Sequence, residues 1–171
     1  MSKNMLSSQA LNKTLTRMAL VAVLAGAVPF AAAQANPRGE AKLTLGGKTV
    51  AIDYGRPSLK GRDMIGQLEV GRSWRMGADS ATTLKTEADL AFGSLNVPKG
   101  SYVLSLTKAA ADKWVLNVKE GEKAVVDIPL VEAKAAASVE TLTIDLKGEK
   151  AAGEFHMSWG SLSLKAPFSA K

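Results

Sequence analysis

The segments Thr141-Leu-Thr-Ile-Asp-Leu-Lys147 and Glu154-Phe-His-Met-Ser-Trp159 carry the clearest structural pattern in the sequence. In both segments every second residue is apolar: Leu142, Ile144, Leu146, Phe155, Met157 and Trp159. Alternation with a period of two places all the apolar side chains on one face of an extended strand and the polar ones on the other. Both segments are therefore predicted to be half-buried antiparallel strands.

The same alternation recurs through most of residues 36–171, and turn residues such as Gly46-Gly47 separate the runs. Further apolar sets at every second position are Val50, Ile52 and Tyr54; Tyr102, Leu104 and Leu106; Trp114, Leu116 and Val118; Val126, Ile128 and Leu130; and Leu162 and Leu164. This spacing predicts an all-β domain, an antiparallel β-sandwich of about eight or nine strands, with a jelly roll among the arrangements that it allows.

Four local predictions accompany this fold. Gly160 reads as the turn of a last hairpin, because the apolar positions change phase there. The alanine-rich residues 132–138 fit either a short helix or a loop between strands, and the tail after Pro167 is expected to fray. Trp114 and Trp159 are in phase with aliphatic neighbours, so we expect both indole rings in the core.

The first 35 residues have the layout of a secretory signal peptide. Basic residues without any acid precede an apolar run at residues 18–30, and small residues follow it. The run is shorter than the about 20 apolar residues that cross a bilayer. We predict cleavage after Ala33 or Ala35, export to the periplasm or the cell exterior, a mature protein without a transmembrane segment, and a single β domain over residues 36–171.

Composition excludes several classes of site. The chain has no Cys and one His, which removes thiolate zinc sites, thiol nucleophiles and metal sites built from several histidines. Three of the 22 basic residues and none of the 16 acidic ones precede residue 36, so the formal net charge falls from +6 to +3 when residues 1–35 are removed. That excess is too small to indicate a nucleic-acid partner. We expect no metal, no cofactor and no recognisable catalytic set.

One stretch lacks the alternation. Residues Gly55–Ala81, called the excursion below, are rich in Gly and Arg, and long irregular connections are often functional. The guanidinium group offers a planar fork of donors for carboxylate, sulfate or phosphate. The candidate ligand-binding residues are Tyr54, Arg56, Lys60, Arg62, Trp74, Arg75 and Asp79, with the Tyr54 or Trp74 ring as an apolar platform. The predicted ligand is a small anionic or polyhydroxylated molecule or a component of the envelope.

The alternative is that the same arginines brace the loop by bonding its carbonyl groups and its acids. The residues alone leave both interpretations open.

Four motifs in order resemble one known family. They are Ile52-Asp-Tyr-Gly-Arg-Pro-Ser-Leu-Lys-Gly-Arg62, Trp74-Arg-Met-Gly-Ala-Asp-Ser-Ala-Thr-Thr83, Val97-Pro-Lys-Gly-Ser-Tyr102 and Met157-Ser-Trp-Gly-Ser-Leu-Ser-Leu-Lys-Ala-Pro-Phe168. Together they resemble the exported bacterial family catalogued as domain of unknown function 2911, over nearly the whole of the predicted mature chain. The resemblance implies no activity, cofactor or catalytic residue.

The sequence departs from that family at one point. Members usually carry Gly-Ala-Asn-Glu after the Trp-Arg pair, and the corresponding residues here are Gly77-Ala78-Asp79-Ser80. A role for the family's Glu would therefore not transfer to Ser80, although Asp79 supplies a carboxylate one position earlier.

Three functional hypotheses follow. The first is a non-enzymatic exported module that binds a ligand or partner through the excursion. The second is an envelope glycan hydrolase with Asp79 as acid or base and Arg75 tuning it, which requires a second carboxylate or a nucleophile in the same pocket. The third is a structural envelope protein whose arginines are satisfied internally.

Overall fold

In this computed structural model the described residues are 36–171. The predicted signal peptide, residues 1–35, lies outside them. The described residues form ten strands: β1 (Arg38–Leu45), β2 (Lys48–Gly55), β3 (Ser73–Trp74), β4 (Thr82–Thr86), β5 (Leu90–Phe92), β6 (Leu95–Val97), β7 (Gly100–Ala110), β8 (Lys113–Glu120), β9 (Lys123–Glu149) and β10 (Ala152–Ala170).

The strands form one antiparallel sheet in the order β1-β2-β4-β7-β8-β9-β10-β5-β6, with β3 added on β7. Strand β9 joins the two halves of the sheet, because it changes its partner along its length. Residues up to Leu130 pair with β8, and residues from Val131 onward pair with β10. The sheet thus bends over at β9 into two layers without closing into a barrel.

The core lies between these two layers. A residual space of only about 20 Å³ is lined by Val50, Ile52 and Leu84 from the first layer and by Leu90 and Phe155 from the second, among others. Side chains from both inner faces therefore fill the interior, as in other sandwiches. The predicted all-β antiparallel sandwich is confirmed. The indole rings of Trp114 and Trp159 are buried in the core, also as predicted.

The prediction of a hairpin turn at Gly160 is wrong, because β10 continues through this residue as a single strand. The pairing of β10 with β9 shifts register on both sides of Gly160, which marks a β-bulge. The bulge moves the inward face by one residue, from Met157 and Trp159 to Leu162 and Leu164. The backbone φ of Gly160 is 61°, a value that glycine adopts more readily than other residues.

Two further sequence predictions are corrected by the pairing of these strands. Residues 132–138 are neither a helix nor a loop but part of β9. Lys134 pairs with Leu162 and Val139 pairs with Gly160, so β9 advances five residues where β10 advances two. The tail does not fray at Pro167, since Phe168 is buried and the residues after it pair with β5. In both cases long-range strand pairing overrides the local preference.

Candidate functional site

The excursion is anchored at its start on the outer edge of β9. After β2 the chain crosses to the second layer, where the Leu59 N–H donates to the Glu140 carbonyl at 2.9 Å and the Leu142 N–H donates to the Pro57 carbonyl at 3.0 Å. The hydroxyl groups of Ser58 and Thr141 lie 2.9 Å apart between these two bonds. This segment therefore ties the two layers together at one end of the sandwich.

The end of the excursion is anchored on the last residue of β2. The backbone of Ala78 packs so closely on Gly55 that a Cβ there would overlap the Ala78 carbonyl oxygen. The Met76 side chain is fully buried, and the Thr82 hydroxyl donates to the Met76 carbonyl at 2.8 Å. Because both ends are fixed, the middle of the excursion is held against the sandwich.

The middle of the excursion lines a half-open cavity of about 200 Å³ at the surface of the sandwich. Trp74 on β3 stacks on Trp159 of β10, with ring centroids 5.1 Å apart and an interplanar angle of 15°. Trp159 directly precedes the Gly160 bulge, and bulges often re-aim side chains next to functional sites. We call this space the tryptophan cavity; its lining residues are Met64, Ile65, Gln67, Leu68, Trp74 and Trp159.

The indole nitrogen of Trp159 lacks a partner. Among the described residues, Trp159 Nε1 is a buried side-chain nitrogen without a hydrogen bond, although the residue is only 3% exposed. The equally buried Trp114 donates from its Nε1 to Glu132 Oε2 at 2.8 Å. An unpaired buried donor costs about 1–3 kcal/mol. Trp159, one of the lining residues, thus carries an unfavourable buried donor that an acceptor would relieve.

The predicted arginines donate mainly to backbone carbonyl groups. Arg56 donates from Nε to the Leu142 carbonyl at 3.3 Å and from Nη2 to Thr143 Oγ1 at 3.4 Å. Arg62 Nε donates to the Leu59 carbonyl at 3.1 Å, and Arg75 Nη1 donates to the Asp79 carbonyl at 2.7 Å. These contacts support the bracing role that the sequence left open.

The other predicted residues have partners of their own. Tyr54 is buried, and its hydroxyl donates to the Ile144 carbonyl at 3.1 Å and accepts from the Ile144 N–H at 2.9 Å. The backbone N–H of Lys60 donates to Glu140 Oε1 at 2.8 Å. Asp79 Oδ2 accepts from Asn36 N at 2.8 Å and from Asn36 Nδ2 at 3.3 Å. Of the predicted site residues, Trp74 lines the tryptophan cavity.

Sequence reasoning missed the other lining residues. Met64, Ile65 and Leu68 are partly buried apolar residues inside a stretch that is otherwise polar. Their presence in a Gly/Arg-rich loop was an available signal for a covered apolar surface. Gln67 is exposed at the same turn, and the alternation around Trp159 predicts a core position without indicating that it lines a cavity. The arrangement is suited to bind a ring by stacking and apolar contact, with few polar contacts.

We expect Arg56→Ala to lower the free energy of unfolding by about 1–2 kcal/mol, since the change removes two donors from partly buried oxygens. Arg72→Ala is the matched control, because Arg72 is exposed and lies 4.0 Å from Glu69 Oε2. Its effect should stay within about 0.5 kcal/mol. Urea denaturation of both variants tests this, and equal losses would contradict a bracing role for Arg56.

A second, polar groove of about 250 Å³ lies on the outer face of β1, β2 and β4, with charges of both signs along it. The Thr49 N–H donates to Glu87 Oε2 at 2.7 Å and lowers the pKa of the Glu87 carboxyl, and Lys85 and Lys42 lower it further.

Elsewhere, burial raises the pKa of the Tyr102 hydroxyl, and the charges of Glu120 and Asp89 add to the rise.

Residues 36–171 contain no cluster of three or more His, Cys, Asp or Glu side chains that would hold a metal ion. The same residues include no helix long and apolar enough to cross a membrane.

Comparison with known proteins gives one match. The model of the family described as "Protein of unknown function (DUF2911)" matches residues 36–168. Neither the curated proteins nor the solved structures gave a match.

Proposed function

The chain belongs to the DUF2911 family, and from the geometry of its excursion we propose that it is a non-enzymatic module that binds a small ligand in the tryptophan cavity. The observation that carries this proposal is the stacked Trp74–Trp159 pair, which forms one wall of a cavity roofed by apolar side chains of the excursion. Concave, mostly apolar pockets with a few polar groups are the usual form of small-molecule sites.

The size of the cavity limits the ligand. An apolar cavity of about 150 Å³ accommodates benzene, and drug-sized ligands occupy pockets of about 300–1,000 Å³. A cavity of about 200 Å³ therefore suits a single ring, either free or as one side chain of a larger partner. Aromatic contact with the edge of the Trp74–Trp159 pair would supply much of the binding energy.

We expect Trp74→Ala to abolish binding while the fold is retained, because Trp74 is only partly buried and lies on the two-residue strand β3. The test is a thermal-shift screen of residues 36–171 against aromatic rings, sugars, sugar phosphates and carboxylates, since a ligand that binds the native state raises the melting temperature. Val70→Ala is the control, because Val70 lies in the same excursion, is 59% exposed and does not line the cavity.

A ligand-induced shift that Trp74→Ala abolishes and Val70→Ala retains would support the proposal. A shift that survives in Trp74→Ala would place the binding site elsewhere. A hit confined to anionic compounds and lost in Arg75→Ala would instead favour the arginine site predicted from the sequence.

The proposal includes export, which the pattern of residues 1–35 supports. Fractionation of the cells and sequencing of the mature N-terminus test it. Recovery from the periplasm or the medium with a start at residue 34 or residue 36 is the expected result. A cytoplasmic protein that retains its first residues would refute this part of the proposal without affecting the cavity.

A further inference from the structure

The unpaired Trp159 nitrogen and the chemistry of the surrounding wall restrict which rings fit the tryptophan cavity. We infer that the ligand is an uncharged ring carrying a hydrogen-bond acceptor, such as a carbonyl oxygen, that accepts from Trp159 Nε1. This inference rests on the proposed function and adds the chemical class of its ligand.

The need for an acceptor follows from Trp159. Its Nε1 is buried and has no hydrogen-bond partner in the described part of the chain. An indole N–H is a donor only, so a ligand can satisfy it only by providing an acceptor. The lining side chains offer one other polar group, the amide of Gln67. Water is a weak competitor there, since a buried water makes about two to four hydrogen bonds. A carbonyl oxygen on an apolar ring provides one acceptor and leaves no other polar atom unsatisfied.

The absence of charge follows from the lining. None of the described residues that line the cavity carries a charged side chain. An ionised group bound against this lining would lose part of its hydration without gaining a counter-ion. A polyhydroxylated ring meets the same difficulty, because it brings more donors and acceptors than the wall can pair.

Access to Nε1 requires a small rearrangement of the lining. Trp159 is 3% exposed, so the ring must displace a neighbouring side chain to bring its acceptor to the nitrogen. Met64 is partly buried and unbranched, and methionine side chains repack readily around apolar groups. The ligand-bound form is therefore expected to differ mainly around Met64, with the Trp74–Trp159 stack retained.

Acetophenone and ethylbenzene test the inference, because they have similar size and shape and only acetophenone carries a carbonyl oxygen. Acetophenone should bind the protein about five- to ten-fold more tightly, the equivalent of one net hydrogen bond. Trp159→Phe should remove this preference. The substitution enlarges the cavity equally for both compounds, so the ratio of their affinities is not affected by the change in packing. Trp114→Phe is the control and should leave the preference unchanged.

A measurement on the unmodified protein avoids dependence on the folding of the variant. In ¹⁵N-labelled protein, acetophenone should shift the indole N–H signal of Trp159 downfield, and ethylbenzene should not. Binding of both rings with equal affinity and no downfield shift would overturn the inference but leave the proposed cavity intact. Failure of both rings to bind would overturn the single-ring ligand proposed for the cavity and the inference with it.

Discussion

Tyr54→Phe should lower the free energy of unfolding by about 2–6 kcal/mol, although it removes a single oxygen atom. The Tyr54 hydroxyl satisfies both the carbonyl and the N–H of Ile144 across the sandwich. The change leaves two backbone groups of β9 buried without partners, and each such group costs about 1–3 kcal/mol. This hydroxyl links β2 in the first layer to β9 in the second.

Tyr102→Phe is the matched control, since Tyr102 is the other tyrosine of the chain. Its hydroxyl makes one hydrogen bond, to the Pro98 carbonyl at 2.7 Å, in a partly buried position. We expect a loss of about 1 kcal/mol. Urea denaturation of the two variants in parallel measures the difference, and equal losses would show that the Tyr54 hydroxyl is not a link between the layers.

The second large effect is expected at Gly55, where Gly55→Ala should cost about 3 kcal/mol or more. The added Cβ would overlap the Ala78 carbonyl oxygen and would lie 2.8 Å from the Ala78 carbonyl carbon and 2.9 Å from its nitrogen. All three atoms belong to the backbone, so the loop after Trp74 would have to move as a unit. That movement would also pull on the buried Met76 side chain.

Gly39→Ala provides the comparison on the neighbouring strand. A Cβ at Gly39 would lie 2.6 Å from Cδ and 3.0 Å from Cγ of Arg56, which belong to a flexible side chain, and 3.0 Å from Cζ of Tyr54. Because these atoms belong to side chains and not to backbone, the loss should be smaller than at Gly55 and close to that of Arg56→Ala. Thermal unfolding of both variants measures the contrast. An unaffected melting temperature in Gly55→Ala would mean that the excursion is not held on β2.

The sequence contained enough to predict the sandwich, since alternation in the strands depends only on which residues face the core. It was misleading at Gly160, because a turn and a bulge both use a glycine with positive φ and both change the phase of the apolar positions. What separates them is whether the chain reverses, and the pairing of β10 with distant residues of β9 determines this. The prediction for residues 132–138 was wrong for the same reason, because helix propensity is a local quantity and takes no account of distant pairing partners.

The candidate site was harder to predict. Arg56, Arg62 and Arg75 are strong donors, and in the structure they donate to carbonyl groups. The Leu142 carbonyl is brought to Arg56 by the fold, whereas Arg62 and Arg75 bond to carbonyls three and four positions away, in a loop whose local shape the sequence does not reveal. The tryptophan cavity combines the turn around Met64, the short strand at Trp74 and the bulge at Trp159. No periodicity in the sequence connects these three segments, and the unpaired indole nitrogen becomes visible only in three dimensions.

The folding of the sheet at β9 also affects how the chain matures during synthesis. Strands β5 and β6 leave the ribosome well before β10, yet β10 is the strand that joins them to the rest of the sheet. Until β10 has been synthesised, β5 lacks the strand with which it pairs, and its apolar residues Leu90 and Phe92 cannot be buried. The unpaired edges of β5 and β9 can then pair with strands of other chains. We therefore expect the two layers to close only after β10 has been synthesised, and the chain to expose apolar surface that a holding chaperone would recognise until then.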